Sequence, residues 1–341
     1  MRIERSTLTG WTRGLALAVV VATGLVSIIG SGGGAVGFLG SACDVYPESC
    51  GPLPPTVVIA PARATVQVGA ALTLSAQPTG FADPTYQWQR SADGGRTFVD
   101  IVGATAASYT LASANLGDDA TLFSVVVRPR GSSSPLALAS SQLAVSSAPG
   151  VVFQDGDFLN ADWQVSEIST PPNNGATHTE QRVASGGTPD AFRRMTHTLP
   201  ANQQSLGVLN LSASAIYNPM LSGAIYVIDF AEDCVLLSAG NPTFLVWSTL
   251  LIEQAGRRYR PKLLVSDSCA SAAWTPLRKA TSLAGADFEL LDGPACSEGQ
   301  VCPDFSGNGP PIRFGFVRFA QANATPTVHG IDNWQVTVWR R

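Results

Sequence analysis

The chain has few charged residues, few histidines and no recognisable catalytic motif, and these shortages argue against several classes of function. Charged residues make up 13% of its 341 residues, against about 25% in ordinary soluble domains, and the net charge is −4. The basic residues are scattered, which argues against nucleic acid as a partner because neutralising phosphates requires a concentrated basic face. With three histidines and no HExxH helix, Gly-x-Ser-x-Gly turn or phosphate-binding glycine loop, we expect a protein that is not an enzyme.

The N-terminal residues 1–42 have the pattern of an export signal. Three arginines precede an uncharged apolar run over residues 15–29, and Gly40-Ser41-Ala42 offers a cleavage site before Cys43. Retention as an uncleaved anchor helix is an alternative, although the apolar part is shorter than the roughly 18 residues that a span prefers. Lipidation of Cys43 is another, because residues 39–43 are similar to a lipobox. We therefore predict an exported protein that is secreted, periplasmic or held at the cell surface.

Six cysteines fit an oxidising compartment and favour disulfides over zinc, since no CxxC pair occurs and no histidine lies near a cysteine in sequence. Proximity along the chain favours the pairs Cys43–Cys50, Cys234–Cys269 and Cys296–Cys302. Six cysteines allow other connectivities, so this pairing follows from proximity alone.

After a Cys/Pro-rich spacer over residues 43–55, short alternating segments separated by turn residues predict a β-sandwich over residues 56–147. Two segments, Tyr86-Gln87-Trp88-Gln89 and the run over residues 118–127, resemble those of bacterial immunoglobulin-like domains. The resemblance implies that Trp88 is the core tryptophan. It also implies that Leu74 and Val125 replace the bridging cysteines, and that the unit acts as a spacer.

Residues 146–150 mark a linker, and residues 151–341 carry almost only strand signals. The two ends of this segment resemble those of jelly-roll modules of the carbohydrate-binding, galactose-binding-like type. The segment begins with Asp155-Gly156-Asp157-Phe158 and ends with Gly330-Ile331-Asp332-Asn333 and a strand. The resemblance implies an all-β chain, in which an immunoglobulin-like sandwich is followed by a larger jelly-roll-like sandwich whose first and last strands pair.

Two candidate sites follow from this second resemblance. Related modules hold a structural calcium with acids placed like Asp157 and Asp332. The simpler interpretation is that both residues belong to turns and bind no ion. Sugar binding would need exposed aromatic rings with polar neighbours, and core packing is the alternative for each ring. The four candidate rings are Trp247, Trp274, Tyr217 and Tyr259.

The sequence thus predicts an exported, non-catalytic surface or extracellular binding protein, with a glycan as the favoured ligand of the second sandwich. A structural or adhesive envelope protein that binds other proteins is the alternative, and a hydrolase with two converging acids is the remote one. Calcium is the only cofactor that the sequence suggests. A membrane would be contacted only through the N-terminal segment.

Overall fold

The computed structural model describes residues 18–22, 25–29, 55–131, 137–170, 172, 175–200, 205–238, 246–262, 269, 271–291, 302–321 and 326–341. The chain forms two compact units. One comprises residues 1–56 with 79–81, and the other comprises residues 57–78 with 82–341.

The described part of the N-terminal segment is a hairpin. Strand β1 (Ala18–Ala22) pairs antiparallel with β2 (Leu25–Ile29), where the sequence predicted a signal or anchor helix. Both strands are rich in valine or isoleucine, whose branched Cβ atoms favour extended backbone. No helix in the described ranges is long and apolar enough to cross a membrane. The cleavage site and Cys43 lie outside those ranges.

The larger unit contains two β-sandwiches, which confirms the all-β fold class. The first sandwich comprises eight strands: β3 (Thr56–Ala60), β4 (Arg63–Gln67), β5 (Leu72–Thr79), β6 (Pro84–Ser91), β7 (Val99–Asp100), β8 (Ser108–Leu111), β9 (Leu122–Pro129) and β10 (Ala137–Ser146). They form a five-stranded sheet in the order β4-β10-β9-β6-β7 and a three-stranded sheet in the order β3-β5-β8. Strand β4 pairs parallel with β10, while β9 pairs antiparallel with β6 and β10. This arrangement is immunoglobulin-like.

The core of the first sandwich is apolar throughout. Trp88 is completely buried, and its indole Nε1 donates a hydrogen bond to the carbonyl of Ala106 at 3.0 Å. Leu74 and Val125 are also completely buried, so aliphatic packing occupies the positions where many immunoglobulin domains carry a disulfide. Tyr109 packs its ring against both Trp88 and Phe123. The predicted core role of Trp88 is confirmed.

The second sandwich comprises twelve strands: β11 (Val151–Asp155), β12 (Trp163–Thr170), β13 (Thr177–Gly187), β14 (Asp190–Thr198), β15 (Ser205–Tyr217), β16 (Ile225–Ser238), β17 (Val246–Gln254), β18 (Arg257–Pro261), β19 (Thr275–Leu283), β20 (Phe288–Leu290), β21 (Ile312–Gln321) and β22 (Thr327–Arg340). One sheet has the order β13-β14-β22-β16-β19, with β11 also on β22, and the other has the order β12-β15-β21-β17-β18-β20. A short helix, α1 (Pro219–Ser222), follows β15. As predicted, the first strand of this sandwich pairs with the last, with Asp155 opposite Trp334.

Aromatic side chains fill one part of the interior between these sheets. Trp163 stacks on Phe158 and meets Phe316 and Trp334 edge-on. Trp334 is 1% exposed, so the last strand contributes a central core residue.

Another part of the same interior is polar. Arg318 and Glu232 form an ion pair at 3.1 Å, with both side chains completely buried. Arg318 also donates a hydrogen bond to the sulfur of Cys269. The rings of His197 and His329 lie 4.7 Å apart edge-on and are completely buried. Charged and imidazole groups are rarely buried to this extent, so this region carries a high desolvation cost.

The predicted disulfide between Cys234 and Cys269 is present. Cys302 is also disulfide-bonded, and its partner lies outside the described ranges, so the Cys296–Cys302 pairing stays a prediction. The predicted Cys43–Cys50 pair lies wholly outside them.

Candidate functional site

A cleft of about 350 Å³ lies where strand β4 of the first sandwich faces the outer surface of the second. Strand β4 is an edge strand, because β10 covers only one of its sides. The opposite wall consists of β16, β19 and β22. Residues from both walls line the cleft: Pro61, Arg63, Ala64, Thr65, Val66, Leu72, Asp229, Phe230, Ala231, Thr281, Gln335 and Thr337.

Asp229 is the central hydrogen-bond acceptor of this cleft. Its Oδ1 accepts from the hydroxyl of Thr65 at 3.2 Å and from the backbone N–H of Ser282 at 2.7 Å. Its Oδ2 accepts from the indole Nε1 of Trp339 at 2.7 Å. One carboxylate thus links a residue of the first sandwich to two strands of the second. Hydrogen bonds to a charged acceptor are the stronger kind, so this carboxylate helps to fix the walls relative to each other.

Arg63 forms the second polar link across the cleft. Its guanidinium pairs with Asp287 at 3.2 Å, and its carbonyl accepts a hydrogen bond from the hydroxyl of Thr281 at 2.7 Å. Both charged side chains are about one third exposed, so the ion pair itself adds little stability. Its effect is to orient the guanidinium of a residue that lines the cleft.

Further contacts hold the sandwiches together near residues 146–150. The hydroxyl of Ser146 donates to the carbonyl of Arg340, and the hydroxyl of Tyr226 donates to the carboxylate of Asp119. Burial, aided by the bond to Asp119, raises the pKa of Tyr226 above its ordinary value. Arg341 lies over the Tyr226 ring and pairs with Asp119. The cleft is therefore bounded by two sandwiches that are hydrogen-bonded to each other.

The cleft offers hydrogen-bonding groups of several kinds. The described lining presents an arginine, three hydroxyls and the amide of Gln335 beside apolar patches, a mixture typical of ligand sites between domains. A single carboxylate, Asp229, occurs in that described lining. Glycoside hydrolysis requires two.

The structure does not gather the four predicted aromatic candidates into a platform. Tyr217 and Tyr259 are each 2% exposed and belong to the core, so their proposed sugar-stacking role is wrong and the core alternative is correct. Trp247 is half-buried on β17. Trp274 is half-buried beside the opposite sheet, where it packs against Phe192.

The structure gives the two predicted calcium ligands different partners. The side chain of Asp157 is 80% exposed and pairs with Arg182. Asp332 is buried, accepts from the backbone N–H groups of Thr188 and Asn333, and has a raised pKa mainly because of burial. Across the described ranges, no three acid, histidine or cysteine side chains are placed to hold a metal. Calcium binding stays a prediction.

Sequence reasoning missed the cleft, because its residues are small and polar and belong to strands far apart in the chain. Arg63 and Asp229 are separated by more than 160 residues, and neither stands in a motif. The only signal was the alternation of β4 and β16, which places Thr65 and Asp229 on outward faces.

The family comparison concerns the first sandwich. A family model described as a domain of unknown function (DUF8696) matches residues 60–147, about a quarter of the chain. A search of curated proteins gave no match.

Among solved structures, the chain is similar to the N-terminal four Ig domains of Dscam1 isoform 6.9, at 22% identity and a TM-score of 0.22, covering 27% of this chain and 21% of that one. A structure described as the basis for Dscam isoform specificity has 25% identity and a TM-score of 0.23, with the same coverage. The chain thus spans about a fifth of the solved chains that it matches. The strand order and pairing of the first sandwich, rather than these short overlaps, establish its immunoglobulin-like fold.

Proposed function

We propose that this is an exported, non-catalytic binding protein that holds a small polar ligand, with an oligosaccharide as the favoured class, in the cleft between its two sandwiches. The observation that carries the proposal is the cleft itself: about 350 Å³, lined by hydrogen-bonding side chains from both sandwiches. Ligand pockets of this size commonly lie between domains. Sugar hydroxyls both donate and accept, which matches a lining that combines a guanidinium, a carboxylate, hydroxyls and an amide.

The contacts at Asp229 support a binding role through preorganisation. Three donors fix this carboxylate before any ligand arrives, so a ligand would not bear the entropic cost of ordering it. The apolar lining residues that are not fully buried, Pro61, Val66 and Ala231, provide surface for the nonpolar face of a sugar ring.

Two other functions are distinguishable from this one. A hydrolase would require a second acid in the cleft. An adhesive envelope protein would bind a macromolecule through the outer surface of either sandwich and would leave the cleft empty.

The test is an oligosaccharide array with the full chain, followed by calorimetry on each positive sugar. Ala231 lines the cleft, so Ala231→Phe should fill it and weaken binding by at least about tenfold, since one well-placed group is commonly worth more than 1.4 kcal/mol. Ala273→Phe, at an exposed turn, is the matched control and should bind normally.

Binding that survives Ala231→Phe would place the ligand elsewhere. An array without any bound sugar, together with capture of a purified envelope protein, would favour the adhesive function. Release of reducing ends from a bound oligosaccharide would establish a hydrolase.

A further inference from the structure

A second surface of the protein, independent of the proposed cleft, carries an unusual group of exposed apolar side chains. The tip comprises residues 216–223, where β15 ends and helix α1 follows. Three of its side chains are large and apolar yet exposed: Ile216 at 43%, Met220 at 65% and Leu221 at 85%. Burying such side chains normally contributes to stability, so three together on the surface usually mark an interaction site.

The tip has a fixed conformation. The side chain of Asn218 accepts a hydrogen bond from the backbone N–H of Met220 at 3.1 Å, which caps the helical turn. The buried hydroxyl of Tyr217 donates to the carbonyls of Ser222 and Gly223, at 3.1 and 2.8 Å. Gly223 has a φ of 97°, which a residue with a side chain would adopt at a cost. These contacts fix the turn in which Met220 and Leu221 are exposed.

Arginines stand beside these apolar side chains. The guanidinium of Arg340 donates to the carbonyl of Ser222 at 3.3 Å. Arg313 lies directly opposite Ile216 in the pairing of β15 with β21, and its side chain donates to Gln164. In the described part of the chain, neither arginine forms an ion pair.

Two acidic side chains of this region are paired with other arginines. Glu253, the cross-strand neighbour of Arg313, pairs with Arg258 at 3.3 Å. Asp119 pairs with Arg341 at 3.6 Å. These two acids therefore leave the charges of Arg313 and Arg340 unneutralised, although the whole chain carries −4.

We propose that the tip inserts Met220 and Leu221 into the interface of an anionic lipid bilayer, while Arg313 and Arg340 contact lipid phosphates. An apolar projection flanked by arginines is the combination that interfacial membrane binding requires, since apolar burial and attraction to anionic lipids act together. A purely apolar protein groove would leave the flanking arginines without a complementary charge. A nucleic acid would leave the methionine and the leucine without an apolar contact.

The test places a fluorophore that reports local polarity on Leu221→Cys in the full chain, with Leu138→Cys as the matched control. Leu138 is 63% exposed on the first sandwich, and both proteins carry the same N-terminal segment. We expect the fluorophore at residue 221 to move into an apolar environment with vesicles of equimolar phosphatidylglycerol and phosphatidylcholine. We expect no such change at residue 138, or with phosphatidylcholine alone.

A second measurement tests the arginines. Arg313→Gln with Arg340→Gln should raise the lipid concentration needed for half-maximal response by about tenfold or more, because each basic side chain near an anionic surface contributes about 1 kcal/mol. Circular dichroism checks that the variant is folded. Equal responses at residues 221 and 138 would overturn the proposal. It would also be overturned if the protein sediments with the vesicles while the fluorophore at residue 221 still reports an aqueous environment. So would an unchanged lipid dependence in a folded double variant.

Discussion

The buried imidazoles of His197 and His329 predict that the second sandwich loses stability in mild acid. Burial, together with the positive charges of His178 and Arg318, lowers the pKa of His197 to about 3. Burial also lowers the pKa of His329 well below its usual range, and His197 and Arg318 add to the effect. The ring of His197 is therefore neutral in the folded protein at pH values above about 4, and burial likewise favours the neutral form of His329.

The unfolded chain binds protons that the folded protein does not. An exposed histidine has a pKa of about 6.5, so between pH 6.5 and the folded pKa the unfolded state holds more protons, and stability falls as the pH falls. At pH 5 His197 costs about 2 kcal/mol relative to pH 7, and His329 adds a loss of the same sign. For a structure of this size, the loss from His197 alone lowers the melting temperature by about 5 °C.

Thermal unfolding at pH 7 and pH 5, followed by circular dichroism, measures the effect. The double variant His197→Gln/His329→Gln should have a much smaller difference between the two pH values, whatever its absolute stability. His178→Gln is the control and should keep the acid-induced loss of stability. Glu180 and Glu167 raise the pKa of His178 despite its burial. The stability that His178 contributes is therefore lost as the pH rises above 6.5 and is constant below pH 6.5. Equal acid-induced shifts in the wild type and the double variant would refute the reasoning.

Three further predictions concern other parts of the larger unit. Replacing Cys234 and Cys269 by alanine should destabilise the protein by about 4 kcal/mol in urea unfolding, because the disulfide closes a loop of 35 residues; an unchanged midpoint would contradict this. Asp229→Ala leaves three donors without their carboxylate and should cost about 2 to 3 kcal/mol. It should also speed proteolysis near residues 147–150, and unchanged resistance would show that the sandwiches stay together without it. If the calcium prediction is right, calorimetry with calcium chloride should give saturable binding that Asp332→Asn abolishes and Asp287→Asn retains; no binding to the wild type would remove the prediction.

The first sandwich could be predicted from sequence because its signals are local. Alternating strands and a strand centred on Trp88 determine which faces are buried, and each of these features spans only a few residues. The pairing of β11 with β22 was also predictable, but only through resemblance, since nearly 180 residues separate the two strands.

The cleft and the polar interior could not be predicted, for a physical reason. Glu232 and Arg318 are separated by more than 80 residues, and in sequence both look like ordinary surface charges. Their burial depends on which sheet face each strand turns inward, which is a property of the assembled sandwich. The two tyrosine candidates failed similarly, because a tyrosine in a strand can be a core residue or a ligand contact, and both Tyr217 and Tyr259 belong to the core.

The position of β22 has a consequence for the order of folding. It lies between β14 and β16 in its sheet and also pairs with β11, so that sheet cannot close until residues 327–340 are available. In a chain that crosses a membrane N-terminus first, the strands of the first sandwich emerge early and can pair among themselves. Those from residue 151 onward would wait, with their apolar faces uncovered. If the chain is exported as proposed, nearly two hundred residues therefore stay incompletely folded until the last strand arrives, and chaperones would be needed to protect them.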